Sequence, residues 1–320
     1  MSVKTIVLLL VLTLSVLPHP TAEAQVGAPD VNLTCSSNAA SGSVEIEVHP
    51  TATLTGSATC IASNPNPYQE KIEVEVQADG LVTAHPGSFS LGPNAEVEFS
   101  VSVSADRMMT AQFRNLTVKV TVTEAMGAPP PNLAEKEVDL VVEIKQFSAL
   151  QLEAVDSMIT LQSKVDYNIE YKVYNKGNGM DMFLLKVTES YRSDLEEAGF
   201  TLVLPTVKVE IDAIPTPSKV RLQLRTPSSY AEWPINSEGF HEMSFTMEFT
   251  VTSEFSCKSE QSGCNSESIV TTITVYEEAS VSEKILTGTN DSSQMLTYGG
   301  VGAGVILLLI LFVVLRKRRE

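Results

Sequence analysis

Apolar and polar residues alternate with a period of two along most of this chain. Val44-Glu45-Ile46-Glu47-Val48, Ile72-Glu73-Val74-Glu75-Val76 and Val97-Glu98-Phe99-Ser100-Val101-Ser102-Val103 follow the pattern. So do Leu116-Thr117-Val118-Lys119-Val120-Thr121-Val122 and Val220-Arg221-Leu222-Gln223-Leu224. In an extended strand this places apolar side chains on one sheet face and polar ones on the other. Antiparallel sheets with one wet face read this way. Turn signals divide the runs: Asn64-Pro65-Asn66-Pro67, Asp79-Gly80, Gly92-Pro93-Asn94, Lys176-Gly177-Asn178-Gly179 and Pro215-Thr216-Pro217. Many short strands between such breaks predict β-sandwiches. One helical turn is predicted over Ser193–Ala198, capped by Ser193 or Asp194 and ended by Gly199.

The alternation stops at both ends. Tyr298–Leu315 is an uncharged apolar run followed at once by Arg316-Lys317-Arg318-Arg319. A run of that length spans a bilayer as a helix, and the adjacent cations hold that end on the cytoplasmic side. Lys4, the apolar run Ile6–Leu17 and Ala22-Glu23-Ala24 describe a secretory signal cut before Gln25. Residues 1–24 are thus read as the signal, 280–297 as a stalk, 298–315 as the span and 316–320 as a basic tail. The expected location is the plasma membrane, single-pass, with the N-terminus outside. Gly300 and Gly304 in the span have the spacing that lets two such helices pack as a homodimer.

The region between the ends is two copies of one pattern. Asn64 opens a turn and Ile72-x-Val74-x-Val76 follows; Asn175 opens a turn and Phe183-x-Leu185-x-Val187 follows at the same distances. Phe99, Val101 and Val103 answer Val220, Leu222 and Leu224. Val118, Val120 and Val122 answer Met247, Phe249 and Val251. A final strand follows in each copy, Glu137–Ile144 and Ser268–Tyr276, after the loops Thr123–Ala134 and Thr252–Glu267. The fold class expected is all-β: two tandem immunoglobulin-like β-sandwiches, 25–147 and 148–279, plus one C-terminal transmembrane helix. The second copy alone carries the long insert Pro227–Gly239 with the only tryptophan, Trp233.

Charge narrows the partners. The chain carries 22 Lys and Arg against 39 Asp and Glu, a formal net charge of −17. Without the two ends, 17 cations face 37 acids, leaving −20 on the body. Such a surface repels nucleic acid and anionic lipid. The four cysteines permit three pairings, of which the local one, Cys35–Cys60 with Cys257–Cys264, is the simplest. A secretory route makes disulfides chemically reasonable, and the spacings do not suit zinc. Asn32, Asn115 and Asn290 are N-glycosylation acceptors.

Asn175-Lys176-Gly177-Asn178-Gly179-Met180-Asp181-Met182-Phe183 resembles the turn between early strands of CARDB-type immunoglobulin-like modules of archaeal and bacterial surface proteins. The first copy departs from it, because Asn64-Pro65-Asn66-Pro67 lacks the glycines. The whole plan is similar to that of "choice-of-anchor" surface proteins. The resemblance implies a cell-surface module and carries over no catalytic residue.

The sequence holds no signature of catalysis, cofactor or metal. There is no Gly-x-Ser-x-Gly elbow and no His-Glu-x-x-His pair, since His241-Glu242 lacks its second histidine. His49-Pro50 and His85-Pro86 fall at strand ends. Glu45/Glu47, Glu73/Glu75 and Glu96/Glu98 each share a sheet face and read as solvated outer positions. No Asp-x-Asp-x-Asp-Gly calcium loop occurs. Tyr230 and Trp233 are the candidate contact residues: they either stack on a sugar or fill a partner's pocket, or the tryptophan folds back over the sandwich edge. The reading is a single-pass cell-surface protein with a non-enzymatic ectodomain that is structural, adhesive or partner-binding, its partner a surface protein or glycan. The alternatives are an accessory carbohydrate-binding subunit of a surface enzyme or transporter, and a Ca²⁺-dependent adhesin.

Overall fold

The computed structural model describes residues 28–260, 263–280 and 283. The signal segment, the span at 298–315, the basic tail, Asn290, Gly300, Gly304 and most of the stalk lie outside the described residues. Among the described residues no helix is long and apolar enough to cross a membrane. The chain divides into two compact units between Lys145 and Gln146.

The alternating runs are strands. In the first unit they are β1 (Asn32–Ser37), β2 (Val44–Ile46), β3 (Thr55–Ser63), β4 (Glu70–Ala78), β5 (Val82–Ala84), β6 (Ser88–Leu91), β7 (Glu96–Ser104), β8 (Gln112–Ala125) and β9 (Glu135–Ile144). One sheet has the order β1-β3-β7-β5 and the other β2-β9-β8-β4-β6. The apolar rows face inward: Ile72 and Val74 on β4, Phe99, Val101 and Val103 on β7, and Leu116, Val118, Val120 and Val122 on β8 are all buried. Burying such a side chain contributes roughly 1.5–3 kcal/mol. The sheets meet where Phe89 of β6 tilts against Phe99 of β7, ring centres 5.6 Å apart.

The second unit has β10 (Leu150–Ala154), β11 (Met158–Gln162), β12 (Asp166–Asn175), β13 (Asp181–Val187), β14 (Thr201–Val203), β15 (Lys208–Ile211), β16 (Ser218–Arg225), β17 (Phe240–Ser253) and β18 (Ser266–Glu278). Its sheets run β10-β12-β16-β14 and β11-β18-β17-β13-β15. These are the orders of the first unit, strand for strand. In both, the second strand pairs parallel with the last, Val44 with Val142 and Ile159 with Ile273, while the other pairings are antiparallel. The core is held across the sheets by Tyr171 of β12 stacked on Phe249 of β17, centres 4.2 Å apart. The buried Tyr171 hydroxyl shares a 3.0 Å hydrogen bond with Thr271 of β18, so its polar tip is satisfied.

Two helices differ from the sequence reading. α1 covers Glu189–Glu197, four residues earlier than the turn expected from Ser193. The start falls at Thr188, whose hydroxyl is drawn away to Glu248 at 2.6 Å, so neither Ser193 nor Asp194 caps it. Leu195 anchors it in the core and Gly199, at φ +91°, ends it as expected. α2 (Glu254–Ser259) occupies what reads as loop. Ser253 caps it, accepting from the Ser256 N–H.

Candidate functional site

Each unit builds one polar cluster at the turn before its fourth strand, where an asparagine is buried. Asn175 Nδ2 donates to the carbonyls of Gly179 and Ile211, both at 2.8 Å, and its Oδ1 accepts from the Gly177 N–H at 2.9 Å. Asn64 Nδ2 donates to Tyr68 O at 2.7 Å, Gly92 O at 3.0 Å and Leu91 O at 3.4 Å, and its Oδ1 accepts from the Asn66 N–H at 2.9 Å. The partners correspond, four residues on, two residues on, and at the last residue of β15 or β6. The asparagine thus organises the turn in both copies. The glycines answer a local need of the second: a Cβ on Gly177 would sit 2.5 Å from the Phe147 carbonyl.

Six residues after each asparagine stands a buried carboxylate, at the first position of the strand and in phase with its inward apolar row. Asp181 accepts from Ser253 Oγ at 2.5 Å and from the Phe255 N–H at 3.1 Å, so α2 begins on it. In the first unit the position is Glu70, fully buried. Its Oε1 accepts from the Asp30 N–H at 3.3 Å and from Asn66 Nδ2 at 3.0 Å. Around it Asn66 Nδ2 and the Tyr68 hydroxyl converge on the Ala28 carbonyl at 3.2 and 2.6 Å. Desolvation, then the charges of Glu70 and Asp30, raise the Tyr68 phenol above its ordinary value.

The insert of the second unit is an ordered hairpin. The Trp233 N–H donates to Tyr230 O at 3.0 Å, Glu242 N to Pro234 O at 3.0 Å, and Asn236 N to Phe240 O at 2.8 Å. The half-buried Trp233 ring meets Phe245 edge-on at 5.9 Å, and Phe245 meets Phe200 edge-on at 4.9 Å. The tryptophan therefore packs against the core of its own unit. The Tyr230 ring centre lies 5.5 Å from that of His241 and 5.6 Å from Lys164 Nζ. His241 is buried, and its Nδ1 sits 3.0 Å from the Trp233 carbonyl, which can only accept, so Nδ1 carries the proton. An open cleft of about 520 Å³ in this unit is lined by Leu185, Val187, Leu202 and Leu204 with Glu189 and Arg192; neither Tyr230 nor Trp233 borders it.

The remaining candidates are dispersed. Both cysteine pairs are bonded: Cys35 to Cys60, registered partners on β1 and β3, and Cys257 of α2 to Cys264. Asn32 and Asn115 stand exposed on β1 and β8, each with its threonine two residues on. Glu73, Glu75, Glu96 and Glu98 are exposed, and Glu45 and Glu47 flank a surface where Lys145 reaches Glu45 and Glu143 at 3.8 and 3.4 Å. His49 pairs with Glu47 at 3.2 Å. His85 Nδ1 lies 3.1 Å from Pro86 O. The ion pair of Glu170 with Lys219, joined by Arg221, lowers that carboxyl's pKa. Among the described residues no three His, Cys, Asp or Glu side chains gather as a metal-binding group.

No protein-family model matches the chain, and no curated protein matches it. Solved structures similar to it include a protein of unknown function from Porphyromonas gingivalis W83, at 11% identity and TM-score 0.29, covering 77% of this chain and 99% of that one. The Salmonella enterica SafA pilin in complex with the SafB chaperone matches at 15% identity and TM-score 0.26, covering 75% and 95%. Mouse cadherin-23 EC22-24 matches at 10% identity and TM-score 0.39, covering 78% and 66%.

Proposed function

We propose that this chain is a single-pass surface protein: exported through residues 1–24, held in the plasma membrane by 298–315, and presenting two immunoglobulin-like sandwiches of the CARDB type outside the cell. Its body is non-enzymatic and binds a surface protein or glycan through loops and strand edges. Gly300 and Gly304 let two spans associate in the membrane.

The disulfides carry this reading. All four cysteines are bonded, and bonds of this kind persist in oxidising compartments rather than in the cytosol. The inward packing of Trp233 favours a structural role for that ring over a sugar-stacking one, which weighs against the accessory carbohydrate-binding alternative.

Thiol counting tests the proposal. Cells expressing the full chain are quenched with acid, and free thiols are tagged with a mass-shifting maleimide before and after reduction. The proposal expects no tag before reduction and four after it. Four tags without reduction would place the body in a reducing compartment and end the reading.

A further inference from the structure

The two units answer the same burial problem differently, and the difference exposes a site. The carboxylate six residues after the turn asparagine is buried in both. A buried carboxylate needs partners for its oxygens, because an uncompensated charge in the interior is costly. In the second unit the chain supplies them. α2 starts on Asp181, giving Oδ1 an N–H and Oδ2 a hydroxyl. The lead-in to β10 is tied down as well: Gln146 Nε2 donates to Met180 O at 2.9 Å, the Phe147 N–H to Asn178 at 2.9 Å, and the Ser148 N–H and hydroxyl to Glu260 at 2.6 and 2.7 Å.

The first unit has no helix at that place. β8 ends in a tight turn, Met126 and Gly127 both at positive φ, closed by the paired hydrogen bonds of Ala125 with Ala128. The N–H of that turn that reaches back toward β4, Met126's, is spent on the Gln69 carbonyl at 3.0 Å. Glu70 Oε2 is left buried with no hydrogen-bond partner. Beside the carboxylate lie the Ala28 carbonyl, the Tyr68 hydroxyl and the Asn66 side chain, which turns its Nδ2 toward Glu70 and Ala28, and the Asp30 carboxylate is near enough for its charge to act on Tyr68. Glu70 is buried, whereas Ala28 and Asp30 are exposed and Asn66 and Tyr68 half-exposed, so the cluster opens to solvent at its rim. Turning the Asn66 amide over would present Oδ1 instead of Nδ2 to Glu70 and Ala28, an arrangement that only a cation between them makes favourable.

We propose that Glu70, with Asp30, Asn66 and the Ala28 carbonyl, forms a binding site for one hard divalent cation of the Ca²⁺ class, and that the ion supplies the first unit with what α2 supplies the second. Calcium takes carboxylate, carbonyl and amide oxygens with water completing six to eight ligands, so two acids suffice where zinc would need more nitrogen or sulfur donors. Asn66 and Tyr68 replace the Gly177 and Gly179 of the second unit, which have no side chain to offer an ion. The site does not depend on where the chain resides. With few charged ligands its affinity belongs with the weak sites of extracellular modules, about 10⁻⁴–10⁻³ M.

The test uses the full chain in detergent, titrated with CaCl₂ after EDTA treatment. Bound calcium is counted by equilibrium dialysis, and the melting of the first unit is followed by hydrogen exchange on peptides of β3, β4 and β8. One saturable ion per chain is expected, with a melting temperature several degrees higher at about 5 mM Ca²⁺ than in EDTA. Glu70→Gln abolishes both responses. In EDTA it melts close to the wild type, because the isosteric amide keeps an oxygen to accept from Asp30 and Asn66; in Ca²⁺ it melts below. Asp181→Asn keeps the response. Asp30→Asn, at an exposed position, folds normally and weakens calcium affinity several-fold. An unmoved wild-type melting temperature up to about 10 mM Ca²⁺, or a Glu70→Gln chain that responds as the wild type does, would overturn the site.

Discussion

Replacing the turn asparagine by alanine probes the device that both units share. Asn175 makes three hydrogen bonds at 2.8–2.9 Å from a buried position. Each contributes about 1 kcal/mol net, and a backbone group left buried without a partner costs about 1–3 kcal/mol more. All three bonds are buried, so counting one such penalty sets a lower bound. The loss expected for Asn175→Ala is therefore at least about 4 kcal/mol, and the same holds for Asn64→Ala. For units of this size 1 kcal/mol moves the midpoint by about 3–5 °C, so each variant should lower its own unit's melting temperature by about 12–20 °C. Calorimetry of the full chain in detergent measures the shift, and hydrogen exchange read peptide by peptide assigns it. Asn175→Ala should loosen β12, β13 and β15 and leave β3, β4 and β6 protected; Asn64→Ala should do the reverse. A shift below about 3 °C for either variant, or loss of protection in the wrong unit, refutes the claim that this residue organises the turn.

Further outcomes follow from the packing. Trp233→Ala removes a half-buried ring from Phe245 and should destabilise the second unit by about 1.5–2.5 kcal/mol, roughly half the cost of a fully buried tryptophan; an unchanged melting temperature would return the residue to a contact role. Burial pushes the Tyr171 phenol up to about 12 from 10.0. Because the folded value is the higher one, the stabilisation is complete below pH 10 and is lost as pH rises from 10 to 12, about 2–3 kcal/mol in all. Tyr171→Phe should flatten that alkaline step in a melting series while costing about 1–2 kcal/mol at neutral pH, since Thr271 loses its partner. Removing Cys35–Cys60 by double alanine substitution, with a separation of 25, should cost the first unit about 3.5 kcal/mol by chain entropy. Removing Cys257–Cys264, with a separation of 7, should cost the second about 2 kcal/mol. Urea unfolding that ranks them the other way would contradict this.

The strands and their pairing of copies were legible because a one-sided sheet writes its burial into every second residue. Val118 to Val122 and Met247 to Val251 became the inner rows of β8 and β17, the same place in each sheet order. The helices were not. α1 begins at a threonine whose hydroxyl serves Glu248, a residue sixty positions away, and no local rule contains that. α2 is six residues long and held by Asp181 from another strand. The buried carboxylates lay within the pattern's reach: Glu70 stands two residues before Ile72 and Asp181 two before Phe183, on the inward parity, but an acid at a strand's first position reads as solvated until its partners are known. The asparagines were visible as turn formers, but the reach of their side chains to Leu91 and Ile211, 27 and 36 residues on, is set by the sheet and not by the turn. Trp233 read correctly as the one large ring of an insert; its direction depends on Phe245 and Phe200, which no spacing announces.

The central claim, a body carried outside the membrane, is tested most directly on intact cells with a membrane-impermeant amine label followed by mass spectrometry. The half-exposed or exposed lysines of both units, such as Lys71, Lys119, Lys208 and Lys219, should be modified, and Lys317 should react only after the membrane is permeabilised. Labelling of Lys317 on sealed cells, or body lysines that stay unmodified until lysis, would contradict the account.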